Sequence, residues 1–484
     1  MKKYFLHAIC LLTLICYVGC QSSPEPSVLQ QQAKIGWGQQ DSILQRIIPP
    51  TFPEKIVYAS DFGATGDSLF DNHQAINRAI EACHEQGGGK VVVQKGNYLI
   101  HGSIVLRSNV NLHLEKGAKL SFGVNPHDYT PLVLSRWEGT MLYNYAPLIQ
   151  AYQQQNIAIT GEGIIEGNTQ AGWAAWKRGN GGNNQKADKK RLRQKGNDSI
   201  PVAQRVFGNG YLDLNGDGKD DGFGDEKPHF LRPSLIEFLE CENILLEGFT
   251  TQNPPFWSIH PIFCRNVTIQ NLNILNGTTN DDGIDPDGSQ DVLIRNCQIH
   301  TDDDPIAIKA GRDQDAWDKM PSRNIIVRNC TVSSVVGNAF CIGSEMSAGV
   351  SHVFVENYTV TKTKHGINFK CNLDRGGFIR EVFIREVTID TATKAAVVFQ
   401  MDYKGWRGNH YPTEIQRIYL QDVDVEWGGK APIRMAGVSE KPISKVLLEN
   451  VQITSAEEAP DLQFVEQIET KRVSINRQSF LWEE

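Results

Sequence analysis

The chain has 484 residues, 40% hydrophobic and 21% charged, with 43 glycines, 21 prolines and a formal net charge of −8. That composition belongs to an ordinary folded globular protein and excludes disorder, a coiled coil and a polytopic membrane protein. No nucleic-acid partner is expected.

In chain order, the only long apolar run comes first. Residues 5–18, behind Met1-Lys2-Lys3, form an apolar stretch too short to span a bilayer, so residues 1–20 read as a secretion signal. The stretch ends Tyr17-Val18-Gly19-Cys20, which resembles a bacterial lipobox except that Tyr17 stands where an aliphatic residue is usual. Lipidation at Cys20 is the expectation, and a plain signal-peptidase cut nearby is the alternative. The polar Gln21-Ser22-Ser23-Pro24 follows, and residues 21–55 are expected to be a tether and N-terminal segment. The mature protein is then exported, lipid-anchored in the periplasm or outer membrane of a Gram-negative bacterium, monomeric, and in contact with membrane only through that anchor. Seven cysteines lie beyond Cys20. An odd number on so large a chain does not suggest a disulfide framework.

Residues 71–83 place Ile76, Ala79, Ile80 and Cys83 at helical spacing, with Asp71 as N-cap and Gly87-Gly88-Gly89 as the stop. Such a helix suits the cap over an open end of stacked strands. Strands are expected at 90–93, 110–114 and 157–159, followed by an insertion over 168–231. A loop of that length is usually functional. It carries a basic run over 186–195, able to contact an anionic polymer or simply to face solvent. It also carries Asp213, Asn215 and Asp217 at alternate positions with Gly218 after them, the opening of a calcium loop that Asp221 and Asp225 would complete. Its ion would be structural, ordering the insertion; the alternative is an acidic turn. No cofactor is expected for catalysis.

Downstream, a polar-aliphatic-x-aliphatic unit repeats, with its first aliphatic residue at Ile244, Val267, Val292, Ile325, Val353, Val382, Ile418 and Val446. A short alternating strand copied at intervals of 23 to 36 residues is a solenoid coil. The expected fold is all-β: a single-stranded right-handed parallel β-helix over 56–484 with an N-terminal capping helix. Asn271, Asn296, Asn329 and Asn357 fall at one place in successive coils and are expected to form an amide ladder, and Cys241, Cys264, Cys297 and Cys330 to be buried as small apolar residues.

The chemistry concentrates in two neighbouring coils, Asn280-Asp281-Asp282-Gly283-Ile284-Asp285 and Asp302-Asp303-Asp304. Like charges raise one another's pKa, so clustered acids suit acid/base work or cation binding better than stability. One protonated carboxyl and ionised partners are what hydrolysis of a glycosidic bond requires.

These motifs, with Arg232-Pro233-Ser234, Pro255-Phe256-Trp257-Ser258-Ile259-His260, Lys309-Ala310-Gly311-Arg312 and Ile342-Gly343-Ser344-Glu345, resemble glycoside hydrolase family 28, the polygalacturonase family. The resemblance implies a pectin-lyase-like β-helix that hydrolyses a pectic or related acidic polysaccharide with inversion. It implies Asp303 as general acid, Asp282 and Asp304 as the water-activating pair, Asn280 shaping the site and Lys370 binding substrate. An inverting pair would stand roughly 6.5–9.5 Å apart. His260, Trp257, Arg312 and Glu345 are further candidate sugar contacts.

Two motifs depart from the family. Gly337-Asn338-Ala339 stands where Gly-His-Gly is expected, and Asn368-Phe369-Lys370 where Arg-Ile-Lys is expected. Asn338 and Asn368 remain candidate substrate contacts, but loss of the guanidinium fork is expected to weaken uronate binding unless Arg312, Arg375 or the basic run reaches the cleft. A calcium-dependent polysaccharide lyase and a non-catalytic glycan-binding β-helix are the rival readings.

Overall fold

The computed structural model describes residues 25–179, 184–221 and 229–482. Cys20 with the secretion signal, and Asp225, lie outside the described residues. From Ile56 onward the chain winds as a right-handed parallel β-helix. The repeat anticipates its register: Ile244 pairs with Val267, Val267 with Val292, Val292 with Ile325, Ile325 with Val353, Val353 with Val382, Val382 with Ile418 and Ile418 with Val446. All of these side chains are buried in one continuous core. The polar residue before each is left-handed, for example Asn243 at φ 57°, Asn266 at 53° and Asn324 at 58°, a conformation Asn tolerates. At the next bend the amides of Asn296, Asn329 and Asn357 each donate to the Asn one coil earlier, at 3.3, 3.2 and 2.9 Å, forming the expected ladder. The seven described cysteines are free and buried.

Two elements differ from expectation. Part of the expected tether is folded: α1 (Val28–Trp37) and α2 (Gln40–Leu44) lie along the outside of the solenoid. Ser27 and Gln30 close a capping box at the start of α1, and Gln30 reaches Glu449 in a late coil, whereas the Ile48 amide meets Asn266 in an early one. Between those ends the strap covers Leu293, Ile326, Phe354, Phe383, Tyr419 and Leu447, which strand alternation would otherwise leave facing water. The rings of Phe354, Phe383 and Tyr419 stack at 5.0 and 4.9 Å beneath it.

The capping helix is α3 (His73–Glu85), and its N-cap is Asn72 rather than Asp71. Asp71 instead accepts the amides of His73 and His101, and the buried Asn72 side chain ties the backbone of Thr65, Phe70 and Leu99. The helix ends in the glycine run as expected, Gly87 and Gly88 having φ of 91° and 99°. The insertion holds α4 (Ala174–Arg178) and α5 (Gln185–Asn197). Arg193 on α5 pins it to the β-helix, at 2.6 Å from Asp313 and 2.8 Å from Asp374. No helix among the described residues is long and apolar enough to cross a membrane.

Candidate active site

A second column of stacked side chains builds the site. Ile259, Ile284, Ile306, Phe340 and Ile367 pair from coil to coil. Two residues before each stands Trp257, Asp282, Asp304, Asn338 and His365, so these five occupy one place on successive rungs. Asp303 sits beside this column, and a 720 Å³ cavity opens over it. One carboxylate oxygen from each of Asp282, Asp303 and Asp304 lies within 4.8 Å of the others, the one such cluster of acid, His or Cys ligand atoms among the described residues. With that oxygen spacing the carboxyl carbons can be at most ~7 Å apart, reaching only the lower edge of the separation expected for an inverting pair.

The three acids are not equivalent. Asp304 is buried, which opposes ionisation, yet the ammonium groups of Lys370, in direct contact with it, and Lys309 hold its carboxyl far below the ordinary range. Its oxygens also receive the Asn338 backbone amide at 2.8 Å, the Asn338 side-chain nitrogen at 2.6 Å and the Cys341 thiol at 3.1 Å. Burial and the neighbouring Asp304 push Asp303 up, and burial with Asp303 and Asp285 pushes Asp282 up. Lys309 stands 3.4 Å from Asp282, while among the described residues no cation forms an ion pair with Asp303. Asp282 and Asp303 are thus both held toward the protonated form while Asp304 stays ionised, and Asp303 is the partly exposed member of the three.

Lys309 organises the floor. It reaches Asp285 and Glu345, both at 3.5 Å, and lies over the Trp257 ring at 4.4 Å. Asp285 remains raised to about 7 by burial despite that ammonium. The turn is fixed by Asp281: its carboxylate accepts the amides of Thr278, Asp302 and Asp303.

The walls are cationic. From the insertion come Lys177, donating to Asn280 at 2.5 Å, and Lys186, Lys189, Lys190 and Arg193; Arg312, Lys364, Arg375, Lys404 and Arg407 complete the ring. Lys189 and Arg312 share Glu138 at 2.5 and 2.7 Å. The basic run thus forms a cleft wall, and Arg312 and Arg375 line the same cavity.

Of the sequence-derived candidates, Asp282, Asp303, Asp304, Asn280, Lys370, Asn338, Asn368, Trp257 and Arg312 line this one cavity. His260 does not. It is buried behind the floor between Glu237 and Asp287, at 3.4 and 3.5 Å, and against the cost of burial these acids raise it to about 9, a structural cation. Trp257 has its ring covered by Lys309 and Phe256, so it is a platform for the lysine rather than an open stacking face. Asn338 and Asn368 bond to each other and to His365, leaving less for a sugar than expected. Asp213, Asn215, Asp217 and Asp221 accept amides of their own loop, away from this cavity. Lys177, His365 and Tyr403, which also line the cavity, were not singled out from sequence; counting two residues back from Phe340 and Ile367 would have found His365 beside Asn338.

A cleft on a parallel β-helix, with acids of opposed pKa on its floor, defines an enzyme of acid/base type. The chain belongs to glycosyl hydrolases family 28, whose profile matches residues 194–473; residues 56–115 also match the rhamnogalacturonase A/epimerase, pectate lyase-like family. It is a glycoside hydrolase. The structure is similar to that of a hyperthermoactive exopolygalacturonase from Thermotoga maritima, at 33% identity and a TM-score of 0.85, covering 92% of this chain and 97% of the other. In sequence it is 27% identical to a probable polygalacturonase of Vitis vinifera, over 82% of this chain and 74% of the relative. It is also 27% identical to an exo-poly-alpha-D-galacturonosidase of Dickeya chrysanthemi, over 85% and 70%.

Proposed function

We propose that this hydrolase removes galacturonate units from the end of a pectic chain, with inversion. The observation that carries the reading is a cluster of three acids beneath a cationic wall, one held ionised and two held toward the protonated form. Asp303, holding the proton, donates it to the leaving glycosidic oxygen; ionised Asp304, with Asp282, takes a proton from the attacking water. Lys370 keeps Asp304 ionised and faces the sugar carboxylate with Lys177 and Lys364, while Asn280 orients Asp303. Exo action is supported by the names of the two relatives above and by the insertion, whose basic residues line one wall of the cleft.

The test is incubation with polygalacturonate. Saturated galacturonate of inverted anomeric configuration should accumulate by NMR, and Asp303→Asn should lower turnover by several powers of ten with melting unchanged. Products with an unsaturated end would assign a lyase instead. Undiminished turnover in Asp303→Asn would remove the role given to that residue. The same proposal includes export with a lipid at Cys20, and a structural calcium ion on the 213–225 loop.

A further inference from the structure

We propose that His365 is a positioning residue for Asp304, acting through Asn338. The inference rests on the acid/base role of Asp304 proposed above. It follows from which groups can donate. An ionised carboxylate only accepts, so Asn338 must turn its amide nitrogen toward Asp304, at 2.6 Å, and its oxygen away. That oxygen also only accepts, and it meets His365 Nδ1 at 2.6 Å and the Asn368 amide nitrogen at 2.8 Å. Nδ1 therefore carries a proton. The Asn368 amide is oriented in turn by Gln400, which donates to its oxygen at 3.0 Å.

The result is a directed chain in which His365 and Asn368 grip one end of the Asn338 amide and the other end holds Asp304. Stacking explains why it can form. His365 pairs with Asn338 across the sheet, so the imidazole stands one rung from the acid's partner and two from the acid. Burial and Lys364 lower the imidazole to about 4, so the ring is neutral at ordinary pH. The charges facing it are Lys364 and Lys370 on its own strand, Asp304 on the preceding side and Arg434 on the following side. Among the described residues Nε2 has no hydrogen-bond partner, so the ring is held through Nδ1, closest to the Asn338 oxygen at 2.6 Å with the Asn368 amide nitrogen farther off at 3.3 Å.

The test compares two isosteric amides. An Asn side chain at 365 places its nitrogen near the position of Nδ1, whereas Gln places its nitrogen near Nε2. Kinetics on polygalacturonate should show His365→Ala and His365→Gln lowering kcat by about tenfold to a hundredfold, with little change in KM. The acid limb of kcat/KM should stay in place, because Lys370 still holds Asp304 ionised. His365→Asn should recover much of the loss in kcat. In an Asn338→Ala background, His365→Ala should add nothing. Unchanged kcat in His365→Ala, equal damage from Asn and Gln, or additive losses in the double variant would each overturn the inference. Asp304→Asn separates the two readings: if it stays active the role of Asp304 falls, and if it is inactive while the His365 variants match wild type only the His365 inference falls.

Discussion

Replacing Lys370 by Met should move the acid side of the pH profile, and the structure gives the size of the movement. Lys370 and Asp304 are in contact and both are buried, at 6% and 1% side-chain exposure. Deleting an opposite charge at such range raises a carboxyl pKa by about 1–3 units, or roughly 1.4–4 kcal/mol. The sign is fixed by chemistry. Asp304 must be ionised to accept the water proton, and in the wild type it is ionised far below the ordinary carboxylate range, so it does not limit activity in mild acid. Without Lys370, Asp304 titrates inside the assay window, and kcat/KM falls as pH drops through that value. Above it, only the loss of sugar binding remains, a pH-independent factor. The assay is kcat/KM on polygalacturonate from about pH 3 to 8, beside melting curves, since an unpaired buried carboxylate costs about 3–5 kcal/mol at neutral pH. A uniformly lowered profile whose acid limb stays in place would refute the claim that Lys370 sets the ionisation of Asp304.

Three other outcomes are expected. A Cβ at Gly36 would sit 2.0 Å from the Phe383 ring, so Gly36→Val should lift the strap from the aromatic stack and cost about 1–3 kcal/mol, read as a lower melting temperature with kcat unchanged. Chelation should lower the melting temperature if the 213–225 loop holds calcium, because an ion bound only to the folded state stabilises it; an unchanged melt makes it an acidic turn. Asn368→Arg, which would supply the missing fork, should reduce activity on polygalacturonate rather than raise it, since a guanidinium at this buried position beside Lys370 releases Asn338; a gain in kcat/KM would contradict that.

Most of the solenoid was legible because its core column is written in aliphatic residues with a polar, left-handed residue before each. The strap was not, although its footprint was visible. In the repeat, the residue between the two aliphatics is Leu293, Ile326, Phe354, Phe383, Tyr419 and Leu447, apolar on a face that alternation turns outward. That pattern requires a cover, but nothing in the polar-looking segment before residue 50 shows which chain provides it.

The acids were legible for a similar reason: a charge cluster is local. The charges that answer them are not. Arg193 meets Asp374 181 residues downstream, and Lys189 reaches Glu138 from a helix that belongs to no coil. A β-helix fixes what lies on its floor through register, which sequence periodicity reveals; its walls are insertions, placed by single long-range ion pairs that periodicity does not contain. Substituting Asn for His and Arg on the floor therefore says little about the sugar's charge. What it changes is how Asp304 is held, and on this floor that task falls to Lys370 from one side and to the Asn338 amide from the other.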